Sequence, residues 1–355
     1  MSFVNSLSQT LYLQNQIKNQ NEQLTTLQQI ISNGGRKAQD FSGFTPDVAS
    51  LDLKSRGAIT RNSAYSDTIA TLSTRTANIE TSLTSTDSAI NNLANTITQL
   101  NNQDPTGVQV QQTASDTLDQ AVAQLNAQTN GVPLFSGVAL NTANAPSYPI
   151  ASANALTTGL RTAIGAAPAF ATVAAAQNAV TNYFATTSNW FVPGAAGVPA
   201  APAQIADGQS IQASVTANPG VPANNPFGVA VRDTLANTTA VATIKASDFA
   251  DFNAATGTSA TYQQWLVGQI GQINNASGEI NNAVAINGIV RGQLGTALTQ
   301  NDTSTNLLQQ GLDTAENQDL AVSITSLNNL QNQLQASYQV TAQLKGLSLA
   351  NFLPA

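Results

Sequence analysis

The sequence predicts a mainly α protein with a β-containing insertion: an antiparallel long-helix coiled-coil bundle formed by both chain ends, with a variable middle domain at the tip. Three observations predict it. Apolar residues recur at alternating spacings of three and four in both outer thirds of the chain, the period of a helix that buries one stripe. Ten prolines fall between Pro133 and Pro226, a density no long helix tolerates. The 42% apolar content rests heavily on alanine, with only 5% aromatic residues, which favours helix but contributes little burial per residue.

The first element is a helix carrying Leu13, Ile17, Leu24, Leu27 and Ile31 with Asn, Gln and Thr between them. Asn33-Gly34-Gly35 stops it, because both residue types accept the left-handed conformation that ends helices; Phe41 to Pro46 reads as loop. From Tyr65 the seam Ile69, Leu72, Thr76, Ile79, Leu83, Thr86, Ile90, Leu93, Ile97 and Leu100 runs without a slip, and Asp104-Pro105-Thr106-Gly107 ends it. A shorter returning helix carries Leu118, Val122 and Leu125 as far as Asn130-Gly131.

The middle changes character. Between Asp119 and Arg232 the only charged residues are Arg161 and Asp207. The runs SIQASVTA (Ser210 to Ala217) and PFGVAVR (Pro226 to Arg232) alternate apolar and small polar residues, which predicts short strands. Helical periodicity resumes after Tyr262 through Leu266, Ile270, Ile273, Ile280, Val284, Leu294, Leu298, Leu308 and Leu312. Polar Ser277, Asn287, Arg291, Asn301 and Thr305 share that grid, as residues that fix register at a cost in stability do. The grid shifts near Ala315, and Leu320, Ile324, Leu327, Leu330, Leu334, Leu344 and Leu347 carry a final helix. The expected domains are an axial helix over 1–45, coiled-coil helices over 46–135, a Pro/Ala-rich, partly β domain over 136–245, a coiled-coil helix over 246–315 and a second axial helix over 316–355.

Composition excludes several function classes. A net charge of −7 with scattered Lys and Arg offers no basic stripe for a phosphate backbone, so no nucleic-acid partner is expected. With no histidine and no cysteine, Ser-His and Cys-His nucleophilic pairs, the usual zinc ligand sets and disulfides are unavailable. No catalytic residue, cofactor or metal is expected, and the chain is read as not an enzyme. Asp248 and Asp251 are the nearest approach to a carboxylate pair, and they read as solvated loop or cap acids; Trp190 and Trp265 read as core residues rather than carbohydrate platforms. The first residues lack a basic, then continuously apolar, secretory signal, and no run approaches a membrane span, so export by a route that keeps the N-terminus and no membrane insertion are expected.

Two narrow apolar stripes that face only each other cover little core, so the terminal helices are expected to order fully only when neighbouring subunits cover them.

The C-terminal stretch carries a resemblance. LQASYQVTA (Leu334 to Ala342) and LSLANFL (Leu347 to Leu353) are similar to the closing segment of flagellar hook–filament junction proteins, the hook-associated protein 3 family of the flagellin superfamily. ENQDL (Glu316 to Leu320), NGVPLFSGVALN (Asn130 to Asn141) and ISNGGRKAQDFSGF (Ile31 to Phe44) resemble, respectively, the acidic step before that segment, the family's transition into its variable domain and its turn after the first helix. The double-aspartate-proline motif that follows this turn in the family is replaced by Phe44-Thr45-Pro46-Asp47, which marks a divergent branch.

The resemblance implies a secreted structural subunit of the extracellular bacterial flagellum. It implies passage through type III export, with a cytoplasmic export chaperone on the C-terminal helix, and self-assembly into a homo-oligomer beside a neighbouring hook-associated protein and flagellin. A flagellin-type filament subunit is the alternative reading and a cell-surface binding protein a distant one. The residues expected to carry assembly are Leu13, Ile17, Leu24 and Ile31, with Leu327, Leu334, Tyr338, Leu344, Leu347, Leu349, Phe352 and Leu353 facing them.

Overall fold

A computed structural model of the chain describes residues 2–32, 46–100, 103–137, 149–167, 169–192, 202–220 and 225–350, with side chains in these ranges except at 2–11, 30, 46–48, 315–319 and 344–350. Seven α-helices and four short strands lie among the described residues. Helix α1 (Ser2–Ser32) stops where the Asn-Gly-Gly signal begins; residues 33–45, with the expected loop up to Thr45, lie outside the described residues, while Pro46, the last residue of that expected loop, is helical. Helix α2 (Pro46–Leu100) opens on the proline, whose missing N–H costs nothing in a first turn.

Helix α3 (Val108–Leu125) follows a turn that the sequence encodes closely. Gly107 takes φ 73°, and a Cβ there would meet the Tyr262 hydroxyl at 2.2 Å. Asp104 accepts from the backbone N–H of Gln109 (2.7 Å) and of Val110 (3.3 Å) and from the Thr106 hydroxyl (2.8 Å), satisfying first-turn donors. Strands β1 (Gln128–Thr129) and β2 (Val132–Pro133) form an antiparallel hairpin around Asn130 and Gly131, both at positive φ, as its tight turn demands.

The middle of the chain is more helical than its alternation predicts. Helices α4 (Ala153–Ile164) and α5 (Val173–Ala185) are capped by Ser152 and Thr172. β3 (Ala203–Ala206) and β4 (Gln209–Ile211) make a second antiparallel hairpin, so only Ser210 and Ile211 of the SIQASVTA run lie in a strand. PFGVAVR is not a strand: it opens helix α6 (Pro226–Thr243), with Asn225 as cap and Pro226 in the first turn. Phe227, Ala230, Val231, Thr234 and Leu235 are all buried, and their helical spacing looks like alternation inside a seven-residue window. Helix α7 (Ala260–Ala350) closes the chain without a break at the shift near Ala315.

The chain divides into two compact units, Met1–Ala64 with Gln300–Ala355, and Tyr65–Thr299. In the second, every seam residue of α2 from Ile69 to Leu100 is buried or half-buried. The pairing of α2 with α7 is antiparallel: Asn287 donates to the carbonyl of Thr76 (2.7 Å) and Asn91 to the Ser277 hydroxyl (3.3 Å), while Arg291 pairs with Glu80. The polar grid residues thus hold register as the sequence predicts. Packed against this pair, α3 and α6 build the main core, in which Phe249, Tyr262 and Trp265 lie with ring centroids 5.8 to 6.3 Å apart. Trp190 is equally buried and donates its indole N–H to the Phe184 carbonyl (3.1 Å). Both tryptophans are core residues, as expected.

The other unit joins the chain ends: α1, the start of α2 and the end of α7. Gln20 and Asn21 of α1 meet Ser337 (3.5 Å) and Tyr338 (3.3 Å) of α7. The mainly α fold with its small β insertion and packed terminal helices is the one the sequence predicts.

Candidate assembly surface

The acids singled out in the sequence do not form a pair. Asp248 is buried, not solvated: its carboxylate takes both Nη groups of Arg161 at 2.8 Å and the Lys245 backbone N–H at 2.8 Å, joining α4 to the chain after α6. Asp251 caps α7, accepting from the Thr261 N–H (2.9 Å) and the Ser259 hydroxyl; these hydrogen bonds, the serine's first, hold its pKa below the usual carboxylate value. Among the described residues no three acids, histidines or cysteines gather as a metal site would need. The functional question therefore moves to the surface of the terminal unit.

That unit has a regular seam. On α1, Leu13, Ile17, Gln20, Leu24, Leu27 and Ile31 are half-buried, at spacings of four and three, and the described side chains between them are exposed. On α7, Leu320, Ser323, Leu327, Leu330, Leu334, Ser337 and Thr341 continue the same alternation, with Leu330 and Leu334 buried to 7% and 5% exposure. Of the predicted assembly residues, Leu13, Ile17, Leu24, Ile31, Leu327 and Leu334 therefore sit in seams. Tyr338 is half exposed, reaching Asn21 through its hydroxyl. Leu344, Leu347 and Leu349 lie on the backbone of α7 with side chains outside the described residues, as do Phe352 and Leu353 altogether.

Large apolar side chains also flank the α7 seam in a wider, interrupted arc: exposed Asn329 and Gln333 fall between Val322 and Val340 on one edge, and exposed Gln331 between Ile324 and Tyr338 on the other. Val322 and Val340 are five helical turns apart and share one edge; Ile324 and Tyr338 share the other, the two edges about 160 to 200° apart at 100° per residue. All four are 42 to 59% exposed. One partner helix covers the middle of such an arc and leaves both edges open. The described outer faces of α1 are polar except for Tyr12, so the two helices are unequal.

At the start of α2 polarity is inverted. Asp52, Ser55 and Asn62 are buried, as is Asn301 on α7, while Leu51, Leu53 and Leu307 are 50 to 63% exposed. Asn62 donates to Ser304 (3.1 Å) and Thr305 (3.3 Å), and Asp52 is held by Arg56 (3.0 Å). The sequence reading missed Leu51, Leu53, Leu307, Val322 and Val340, because it followed the seam, and it placed Ile324 in the seam, where Ser323 is buried while Ile324 is 42% exposed. Their signal is legible: apolar residues two apart on a helix, such as Leu51 and Leu53, cannot share one seam.

No protein-family model matches the chain, and no curated protein matches it. Among solved structures, the chain is similar to a protein from Vibrio parahaemolyticus described as a flagellar hook-associated protein, at 13% identity and a TM-score of 0.50, over 76% of this chain and 97% of that one. The likeness is one of fold. Among the described residues no helix is long and apolar enough to cross a membrane.

Proposed function

We propose that the chain is a non-enzymatic structural subunit of the extracellular bacterial flagellum, of the hook-associated class and closest to the hook–filament junction protein. The observation that carries this reading is the set of large apolar side chains, Val322, Ile324, Tyr338 and Val340, left exposed on both edges of the α7 seam, in a fold shared with a flagellar hook-associated protein. Subunits polymerise when the Val322/Val340 edge of one tail meets the Ile324/Tyr338 edge of the next. Burying these four side chains supplies a driving force that the isolated subunit lacks. The axial segments are 1–45 and 316–355, and the predicted leucines from Leu344 to Leu353 extend the contact. Export through the type III route with a chaperone over the C-terminal helix fits a tail whose apolar arc needs covering before assembly. Neighbours in the finished structure are further copies, another hook-associated protein and flagellin.

The test compares the full chain, a form lacking Met1–Ser32 and Leu320–Ala355, and a full-length Val322→Ser/Ile324→Ser/Val340→Ser variant. Each is added to hook or filament seeds and followed by sedimentation and hydrogen exchange. The full chain joins the seeds as a short terminal zone with new protection along α7, while the other two stay free. Incorporation along a growing filament would mark a filament subunit instead. A full chain that joins no seed and whose terminal amides are already protected in the monomer overturns the reading.

A further inference from the structure

We infer that a cleft among α5, α6 and α7, remote in role from the assembly surface, is a binding site for a neutral pyranose. The cleft holds about 270 Å³, near the lower limit for a ligand pocket and suited to a single sugar ring. Its floor is apolar: Val180 and Phe184 from α5 and Ala276 from α7 are each 2% exposed or less. Its walls are polar and carry unspent hydrogen-bonding capacity.

Asn237 is 6% exposed and anchored by donating Nδ2 to the Gln272 carbonyl (3.1 Å). Its Oδ1 has no partner among the described residues and is not sealed from the cleft. An amide oxygen that opens onto the cleft and is held in place by its own Nδ2 bond is a fixed acceptor for a ligand hydroxyl. Beside it, Arg232 gives Nε to Asp233 (2.7 Å); both side chains line the cleft and are about one-third exposed, with no hydrogen bond made by the Nη groups or to the second carboxylate oxygen among the described residues. Donors and acceptors thus share one cleft with an apolar floor, the complement of a ring whose hydroxyls both donate and accept and whose C–H face is apolar.

The charges select the class. Arg232 alone would favour an anion, but Asp233 in direct contact opposes one and supplies an acceptor for hydroxyl groups. A single carboxylate provides too few oxygens for a cation. A wholly apolar ligand would strand Asn237 and the ion pair.

Saturation-transfer NMR on the full chain tests this with methyl glycosides of glucose, galactose, mannose and N-acetylglucosamine, using glucuronate as the anionic control. Millimolar binding of at least one neutral glycoside is expected. It should weaken roughly tenfold or more in Arg232→Ala and Asp233→Asn. Thr181→Trp, at an exposed rim position, should abolish it by filling the cleft without touching the polar groups. Near-UV circular dichroism checks that all three variants fold. Binding of glycosides but not of free sugars would identify a glycan terminus as the source; equal binding would identify a soluble sugar. No transfer to any neutral glycoside, transfer that survives all three substitutions, or binding of glucuronate alone overturns the proposal.

Discussion

The two units of this chain are built from the same kind of helix and differ in what the helices bury. Unit Tyr65–Thr299 holds every one of the largest fully buried side chains, Trp190, Trp265, Tyr262, Phe135 and Phe249 among them. In the unit of the chain ends, the described buried apolar side chains are Leu312, Leu330 and Leu334, none below 5% exposure, and Asp52, Ser55, Asn62, Asn301 and Ser323 are buried beside them. Exposed large apolar residues lean the other way: of the twelve among the described residues, Tyr12, Leu51, Leu53, Leu307, Val322, Ile324, Tyr338 and Val340 belong to the smaller unit, and Val108, Val267, Ile289 and Leu298 to the larger. The comparison teaches that one unit is stabilised from within, while the other keeps its apolar surface for something outside the subunit.

That contrast can be broken most directly in the cores. Trp265→Ala should cost about 3 to 5 kcal/mol, whereas Leu330→Ala should cost the monomer about 1 to 2, because a side chain already near solvent leaves little cavity. Urea unfolding with a probe in each unit measures both, and equal losses would erase the distinction. Next in size is Gly107→Ala, which combines a positive φ with a Cβ placed against Tyr262; a loss of about 2 to 3 kcal/mol, confined to the aromatic unit, is expected from thermal unfolding.

Arg161→Ala leaves the Asp248 carboxylate buried without its cation. A loss of about 2 kcal/mol is expected, less than for a fully buried pair because the Arg161 side chain is 34% exposed. The smallest effect sharpens the comparison through pH. Burial acts to raise the Asp104 pKa, but hydrogen bonds from Thr106, Gln109, Val110 and Gly107 outweigh it and hold the group below its ordinary value. A depressed folded-state pKa contributes stability that is present above the unfolded value, about 4, and is lost as pH falls through the folded value. Asp104→Asn should therefore cost about 1 kcal/mol at neutral pH and flatten the acid limb of the stability curve of the larger unit.

Much of this was legible in the residues. The α2 seam, the turn at Asp104 to Gly107 and the register-holding role of Asn287 are local matters of period, capping and turn chemistry, and short-range spacing reveals them; Asn130-Gly131, expected as a stop, is the turn of the β1–β2 hairpin. PFGVAVR was misread because seven residues with apolar positions one, two, four, five and six fit a strand and a helix alike. Asn225 and Pro226 together were the helix-start signal that could have settled it. Asp248 is the cap acid expected, accepting from the Lys245 N–H, but its burial was not legible because its partner, Arg161, is 87 residues away and only folding brings them together.

The sequence by itself determined the long outer helices, most of the stripe that α1, α2 and α7 bury and that the chain offers no ordinary nucleophile or metal ligand set, since these follow from composition and from interactions within a few residues. Only the tertiary structure decided that the stripe on α7 is wider than its partner covers, that polar residues turn inward at the start of α2, and that Arg232, Asp233 and Asn237 line a cleft with Phe184 at its floor. The physical reason is that exposure and cavity shape belong to pairs of elements: a helix carries its own periodicity, but how much of that periodicity is satisfied depends on the helices that pack against it.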